Sequence, residues 1–143
     1  MKPLYIALLA TLSLTSTLIA KAQDTASQAQ SQQADDDRTF TKVEIEAAFP
    51  GGSPAWLRYL TKNLNYPREA VKNKIEGTVI VQFIVDKEGR VSDVQAIMGP
   101  ETGGLREEAV RVIKNCGRWM PAIQNGRQVK SYKKQPVVFK LHL

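Results

Sequence analysis

The stretch that decides the fold is residues 77–98, GTVIVQFIVDKEGRVSDVQAIM. In its first half, even and odd positions both carry apolar side chains, which is typical of a central strand partly covered on both faces. Asp86 to Gly89 is a turn signal in which the glycine can adopt a positive φ. The second half returns as another strand, although Val91 and Val94 fall on opposite faces unless a bulge intervenes. The stretch therefore predicts an antiparallel β-hairpin.

Helical patterns lie on both sides of this hairpin. Ser53-Pro54 favours the start of a helix, because serine is a good N-cap and proline suits the first turn. Apolar residues then recur at helical spacing, which predicts one apolar face. They are Trp56, Leu57, Leu60 and Leu64. Tyr66-Pro67 ends this helix and begins a second short one. A third helix is predicted from about Leu105 to Asn115.

A long basic strand is predicted from about Val129 to Leu143, after a hairpin turn at Asn125-Gly126. If the third helix runs back along the second strand, this last strand lies antiparallel to the first strand and pairs with it. The sheet order is then two, one, three. The sequence thus predicts an α+β fold, with a three-stranded antiparallel sheet, helices packed on one face, and strand three at an open edge.

Composition excludes most enzyme classes. The chain has 143 residues, enough for one domain, with one cysteine (Cys116) and one histidine (His142). A disulfide framework, a cysteine-based zinc site and a catalytic triad therefore have no support, and no glycine-rich phosphate loop is present. We expect no catalytic residues, no metal site, no cofactor and no small-molecule substrate.

Residues 1–22 have the pattern of an export signal. Lys2 precedes an uncharged apolar stretch, and Ala20-Lys21-Ala22 has the small-x-small pattern of a cleavage site. The alternative is an uncleaved segment that anchors the protein in the inner membrane. Residues 23–38 are rich in Gln, Ala, Ser and Asp and predict a flexible linker, which leaves residues 39–143 as the folded domain. Either reading of the signal places that domain outside the cytoplasm.

Charge is unevenly distributed along the chain. Residues 23–38 carry a net charge of −3 and residues 39–143 carry +7. Outside the cytoplasm this favours acidic peptides or anionic cell-wall polymer over nucleic acid as partners. The sequence therefore predicts no nucleic-acid binding.

The order and spacing of these motifs resemble the C-terminal domain of TonB, from about Tyr66 to Leu141. The residues that carry the resemblance are Tyr66-Pro67, Ala70, Ile75-Glu76-Gly77, Val79, Val81, Phe83, Val85, Gly89, Val91, Val94, Ala109, Val112 and Trp119-x-Pro121. The resemblance implies a periplasmic module for energised transport across the outer membrane. It also implies binding to the TonB box, a short segment of an outer-membrane receptor, which adds as a strand beside the last strand.

Proline chemistry indicates which side of that strand is open. Pro136 has no N–H, so its nitrogen should face away from the neighbouring strand. The backbone groups of successive residues point alternately to the two sides of a strand. Those of Val138, Lys140 and His142 should therefore face the open side, as the Pro136 nitrogen does. Val137, Phe139 and Leu141 should pair with strand one. With the charged Lys133 and Lys134 added, the predicted partner-binding residues are Lys133, Lys134, Pro136, Val138, Lys140 and His142.

Two other partners stay open at this point. The basic face could hold peptidoglycan or a partner protein, which would make the domain an envelope-anchoring or assembly module. An open strand edge can also pair with the same edge of a second copy, which would give a homodimer.

Overall fold

The computed structural model describes residues 38–142. The predicted signal peptide, and the linker up to residue 37, lie outside the described residues. In chain order the elements are helices α1 (Gly52–Asn63) and α2 (Arg68–Lys72), strands β1 (Gly77–Val85) and β2 (Val91–Met98), helix α3 (Leu105–Lys114), and strands β3 (Ala122–Gln124), β4 (Arg127–Val129) and β5 (Ser131–Phe139). No helix within the described range is long and apolar enough to cross a membrane.

The main sheet has the order β2-β1-β5 and is antiparallel throughout. This confirms the predicted order, with β5 as the third strand. β1 and β5 pair without a shift from Gly77 opposite Phe139 to Val85 opposite Ser131. The pairing of β1 with β2 has two register shifts, and Asp93 lies there with φ of 49°. This irregularity lets Val91 and Val94 both pack against the core.

The core lies between one face of the sheet and the helices. The odd-numbered side chains of β1 from Val79 to Val85 are fully buried there. α3 contributes the buried residues Leu105, Ala109, Val112 and Ile113, and α1 contributes Trp56 and Leu60. Because strand side chains alternate with a period of two, β5 adds only its odd positions, among them Val137 and Phe139, to this core.

An aromatic cluster fills the corner where α3 leads back to the sheet. The Trp119 ring lies 5.0 Å from the Phe83 ring and 5.8 Å from the Trp56 ring, measured between centroids. The backbone N–H of Trp119 donates to the carbonyl of Gly89 at 2.8 Å, and a Cβ at Gly89 would stand 2.0 Å from the backbone oxygen of Trp119. The turn after β1 therefore requires glycine, and Trp119 is a core residue.

The last strand differs from its prediction. Instead of one strand from Val129 to Leu143, β4 pairs with β3 around the Asn125-Gly126 turn, and β5 pairs with β1. The strand is interrupted at Lys130 because the chain changes its pairing partner there. β5 ends at Phe139 because its partner Gly77 is the first residue of β1.

The first helix also differs from its prediction. α1 begins at Gly52, after Gly51 with φ of 84°, so neither Ser53 nor any other side chain caps it. Leu57 is not part of the buried face, since 62% of its surface is exposed. Trp56 and Leu60 alone are buried, so the covered stripe of α1 is narrower than the pattern of leucines suggests.

Phe139→Ala tests the core assignment. Phe139 is fully buried and its ring meets the Tyr66 ring at 90°, with centroids 5.7 Å apart. We expect the substitution to lower the free energy of unfolding by about 3–5 kcal/mol in denaturant titration. The neighbouring Val138→Ala, at an exposed position, should change it by less than about 0.5 kcal/mol. Equal effects at both positions would contradict the assignment.

Candidate functional site

The start of β5 is covered by residues 38–49, which we call the N-terminal strap. Phe40 forms a parallel bridge with Ser131. Its N–H donates to the Lys130 carbonyl at 2.8 Å, and its carbonyl accepts the Tyr132 N–H at 2.9 Å. The strap then leaves β5 and pairs with Ile123 and Met120. The edge of β5, expected to be open, is therefore closed by the strap at Tyr132, before the residues that were predicted to bind a partner.

These contacts also fix which backbone groups of β5 face outward. The N–H of Tyr132 points to the strap, away from β1. β5 pairs with β1 without a shift, and lateral direction alternates residue by residue, so Lys134, Pro136 and Val138 face the same way as Tyr132. Among residues 38–142, no backbone hydrogen bond reaches the outward groups of these three residues. We call them the free edge.

An apolar groove of about 620 Å³ lies between the free edge and α1. One wall is formed by Ser53, Trp56, Leu57, Leu60, Thr61 and Leu64, and Tyr66 adds to the lining. The other wall is formed by Gln135, Pro136, Val138, Lys140 and His142. Leu57 and Val138, which are both exposed, thus border the same groove.

Helix α3 holds the α1 wall in place. The Tyr59 hydroxyl donates to the Val112 carbonyl at 2.8 Å. Arg111 donates to the Asn63 carbonyl at 2.7 Å and forms an ion pair with Glu108, also at 2.7 Å. Glu108 is almost fully buried, and the Arg111 guanidinium supplies its countercharge. The groove is thus bordered by two elements that are each fixed to the core.

Five of the six predicted partner-binding residues lie on the open side. Pro136, Val138, Lys140 and His142 line the groove, and Lys134 belongs to the free edge and is exposed. Their role in binding is not tested by this placement and stays a prediction. The groove lining includes Lys140 and His142 but no Asp or Glu.

Lys133 lies apart from the other five. Its ammonium forms an ion pair with the strap residue Glu46 at 2.7 Å, and its side chain is 17% exposed against 74% for Glu46. The hydrogen bond and the charge of Lys133 lower the pKa of the Glu46 carboxyl below its ordinary value. Lys133 therefore fastens the strap to β5 and is not a freely accessible charge.

Two parts of the site were missed by sequence reasoning. The strap makes only isolated bridges, and although polar and apolar residues alternate from Lys42 to Ala47, this alternation does not indicate which distant segments the strap pairs with. The helical wall had a signal, since Leu57 widened the apolar stripe of α1 beyond what one packed face needs. Within residues 38–142, no group of His, Cys, Asp or Glu side chains is arranged to hold a metal ion.

Comparisons with known proteins give one consistent family. The family model described as Gram-negative bacterial TonB protein C-terminal matches residues 62–141. Two curated proteins named Protein TonB, from two strains of Helicobacter pylori, are each 29% identical over 82 residues, which cover 54% of this chain and 29% of each relative. The chain thus matches less than a third of the length of these relatives.

One solved structure is also similar. The solution structure of the C-terminal domain of Helicobacter pylori TonB has a TM-score of 0.47 and 24% sequence identity to this chain. The match covers 66% of this chain and 88% of the solved one.

Glu46→Gln tests whether the ion pair fastens the strap. We expect the free energy of unfolding at neutral pH to fall by less than about 1 kcal/mol, because the Glu46 carboxylate is largely exposed to solvent. The pKa of Glu46 is lowered in the folded protein, so this stabilisation is present above the ordinary pKa and is lost as pH falls through the lowered one. Denaturant titrations of the two proteins should therefore converge in acid.

Glu101→Gln is the control. That carboxylate is 85% exposed, and its distance of 3.8 Å from Arg106 is long for an ion pair. It should change stability little at any pH. A difference between wild type and Glu46→Gln that persists in acid would show that charge pairing is not what holds the strap.

Proposed function

Because the chain belongs to the TonB C-terminal domain family, we propose that its domain binds the TonB box of an outer-membrane receptor by strand addition. Through this contact it supports or modulates energised transport across the outer membrane. The observation that carries the proposal is the free edge, an outward-facing row of backbone groups at Lys134, Pro136 and Val138 beside an apolar groove.

Strand addition uses the hydrogen-bonding capacity of that row. Lys134 and Val138 each offer an N–H and a carbonyl, whereas Pro136 offers a carbonyl alone. An extended peptide laid along the edge satisfies these groups through its own backbone, which supplies affinity without requiring a particular sequence. The start of the same strand edge supports this, since Phe40 of the strap bonds there to the Lys130 carbonyl and to the Tyr132 N–H.

The groove supplies side-chain selectivity. Side chains of an added strand alternate in direction, so one set lies against the α1 wall, where Trp56, Leu57, Leu60 and Leu64 favour apolar residues. Acidic residues of the peptide are favoured at the rim of the groove by Lys134 and Lys140. The chain offers no opposing carboxylate side chain after Arg127, because no acidic residue follows it in the sequence. Rim charges of this kind raise the association rate more than the affinity. The preferred partner is therefore an extended segment with both apolar and acidic residues.

We further propose that residues 1–22 are an export signal, that residues 23–38 link it to the domain, and that the domain acts in the periplasm. The composition of these segments supports this order. If the signal is retained, the domain is anchored to the inner membrane instead. Mass spectrometry of the mature N-terminus from a cell-envelope fraction distinguishes the two.

Val138→Pro tests docking at the free edge. The substitution removes an outward N–H without breaking a bond to β1, so the fold should persist. We expect affinity for TonB-box peptides, measured by calorimetry against scrambled peptides, to fall at least about tenfold. Val138→Ala keeps the N–H and should lose much less. Unchanged affinity in a folded Val138→Pro protein would exclude this edge.

Val137→Pro is the matched contrast, since its N–H faces β1 and belongs to the sheet. It should lower the melting temperature, whereas Val138→Pro should not.

Binding to peptidoglycan through the basic surface would give another result, because retention would fall with rising salt and would be insensitive to Val138→Pro. That outcome would favour an envelope-anchoring module over a receptor-binding one.

A further inference from the structure

Glu76 makes a contact that the sheet itself does not explain. It stands immediately before β1, and its Oε1 accepts the backbone N–H of Leu141 at 2.5 Å. Leu141 is two residues beyond the end of β5. A side chain at the start of one strand therefore holds the chain that follows the end of its neighbour.

The contact replaces a backbone hydrogen bond that would otherwise continue the pairing of β1 with β5. Gly77 pairs with Phe139, so continued antiparallel pairing would place Ile75 opposite Leu141. Both backbone groups of Ile75 are already bonded, since its N–H donates to the Ala70 carbonyl at 2.8 Å and its carbonyl accepts the Tyr66 hydroxyl at 2.6 Å. The Glu76 carboxylate supplies the acceptor that the backbone of β1 no longer offers.

This contact determines where the next two groove residues lie. The Leu141 N–H points toward β1, and backbone groups alternate in lateral direction along an extended chain, so those of Lys140 and His142 face the other way. Both indeed line the groove with Pro136 and Val138. The strap closes the row at Tyr132, so the row can be lengthened only at this end.

We propose that Glu76 is a positioning residue that extends the free edge from Val138 to Lys140 and His142, and so sets the length of peptide that the groove accepts. This inference rests on the proposed function, because it concerns the same edge. A short peptide satisfies only Lys134 to Val138, whereas a longer one also engages the segment that Glu76 holds.

The test compares three variants and two probes. The variants are Glu76→Ala, Glu76→Gln, which keeps an oxygen acceptor, and Glu107→Ala, which removes the same charge from the exposed side of α3. The probes are synthetic peptides of alternating valine and threonine with one terminal glutamate, five and nine residues long. Binding is followed by NMR titration, and amide exchange of Leu141 is measured in the free proteins.

We expect Glu76→Ala to weaken binding of the nine-residue probe about tenfold, which corresponds to losing one or two backbone hydrogen bonds. Binding of the five-residue probe should change less than about twofold, within the loss of a single weak bond. Glu76→Gln should retain most of the affinity for the longer probe, and Glu107→Ala all of it. Leu141 exchange should accelerate in Glu76→Ala alone.

Equal losses for both probes, or unchanged Leu141 exchange in Glu76→Ala, would overturn the positioning role. If the wild-type protein binds neither these probes nor TonB-box peptides, the proposed function fails. Leu141 exchange would then still decide whether Glu76 holds the C-terminal segment, because that measurement needs no peptide.

Discussion

The unshifted pairing of β1 with β5 is the constraint on which the rest of the molecule depends. Nine consecutive residues of each strand face one another, from Gly77 opposite Phe139 to Val85 opposite Ser131. Because side chains and backbone groups both alternate with a period of two, this register decides which β5 side chains enter the core. The same register decides which N–H and carbonyl groups remain free at the edge. A slip of one residue would bury the exposed set and turn the Pro136 nitrogen against β1.

Different contacts are made at the two ends of the β5 edge. At Tyr132 the strap takes up the outward groups through Phe40, and Lys133 secures it through Glu46. At Phe139 the sheet ends, but a carboxylate continues the ladder by one bond. Between these two ends lies the groove, whose far wall, α1, is tied to α3. The candidate site therefore lies between a backbone pairing with its ion pair at one end and a side-chain hydrogen bond at the other.

Sequence reasoning succeeded where the determining features are local. The alternation from Val79 to Val85, the Gly89 turn and the proline at 136 each act on their own residues, and they predicted the hairpin and the outward side of β5. The strand order followed from the direction in which α3 returns along β2. It failed where distant segments meet. The strap depends on a few bonds between residues some 90 positions apart, and the charge of Lys133 does not reveal its pairing with Glu46. Likewise, helical spacing shows that α1 has an apolar face but not how much of that face is covered, as Leu57 demonstrates.

The irregular outer strand β2 has a consequence for self-association. With two register shifts and Asp93 in a left-handed conformation, it presents a broken row of backbone groups to any incoming strand. β5 is thus the one regular edge of the main sheet among residues 38–142. Two molecules that join through it use the same surface on both sides and leave no second regular edge on either. Such a pair would offer no regular edge of the main sheet to a third molecule, which disfavours growth by edge-to-edge addition.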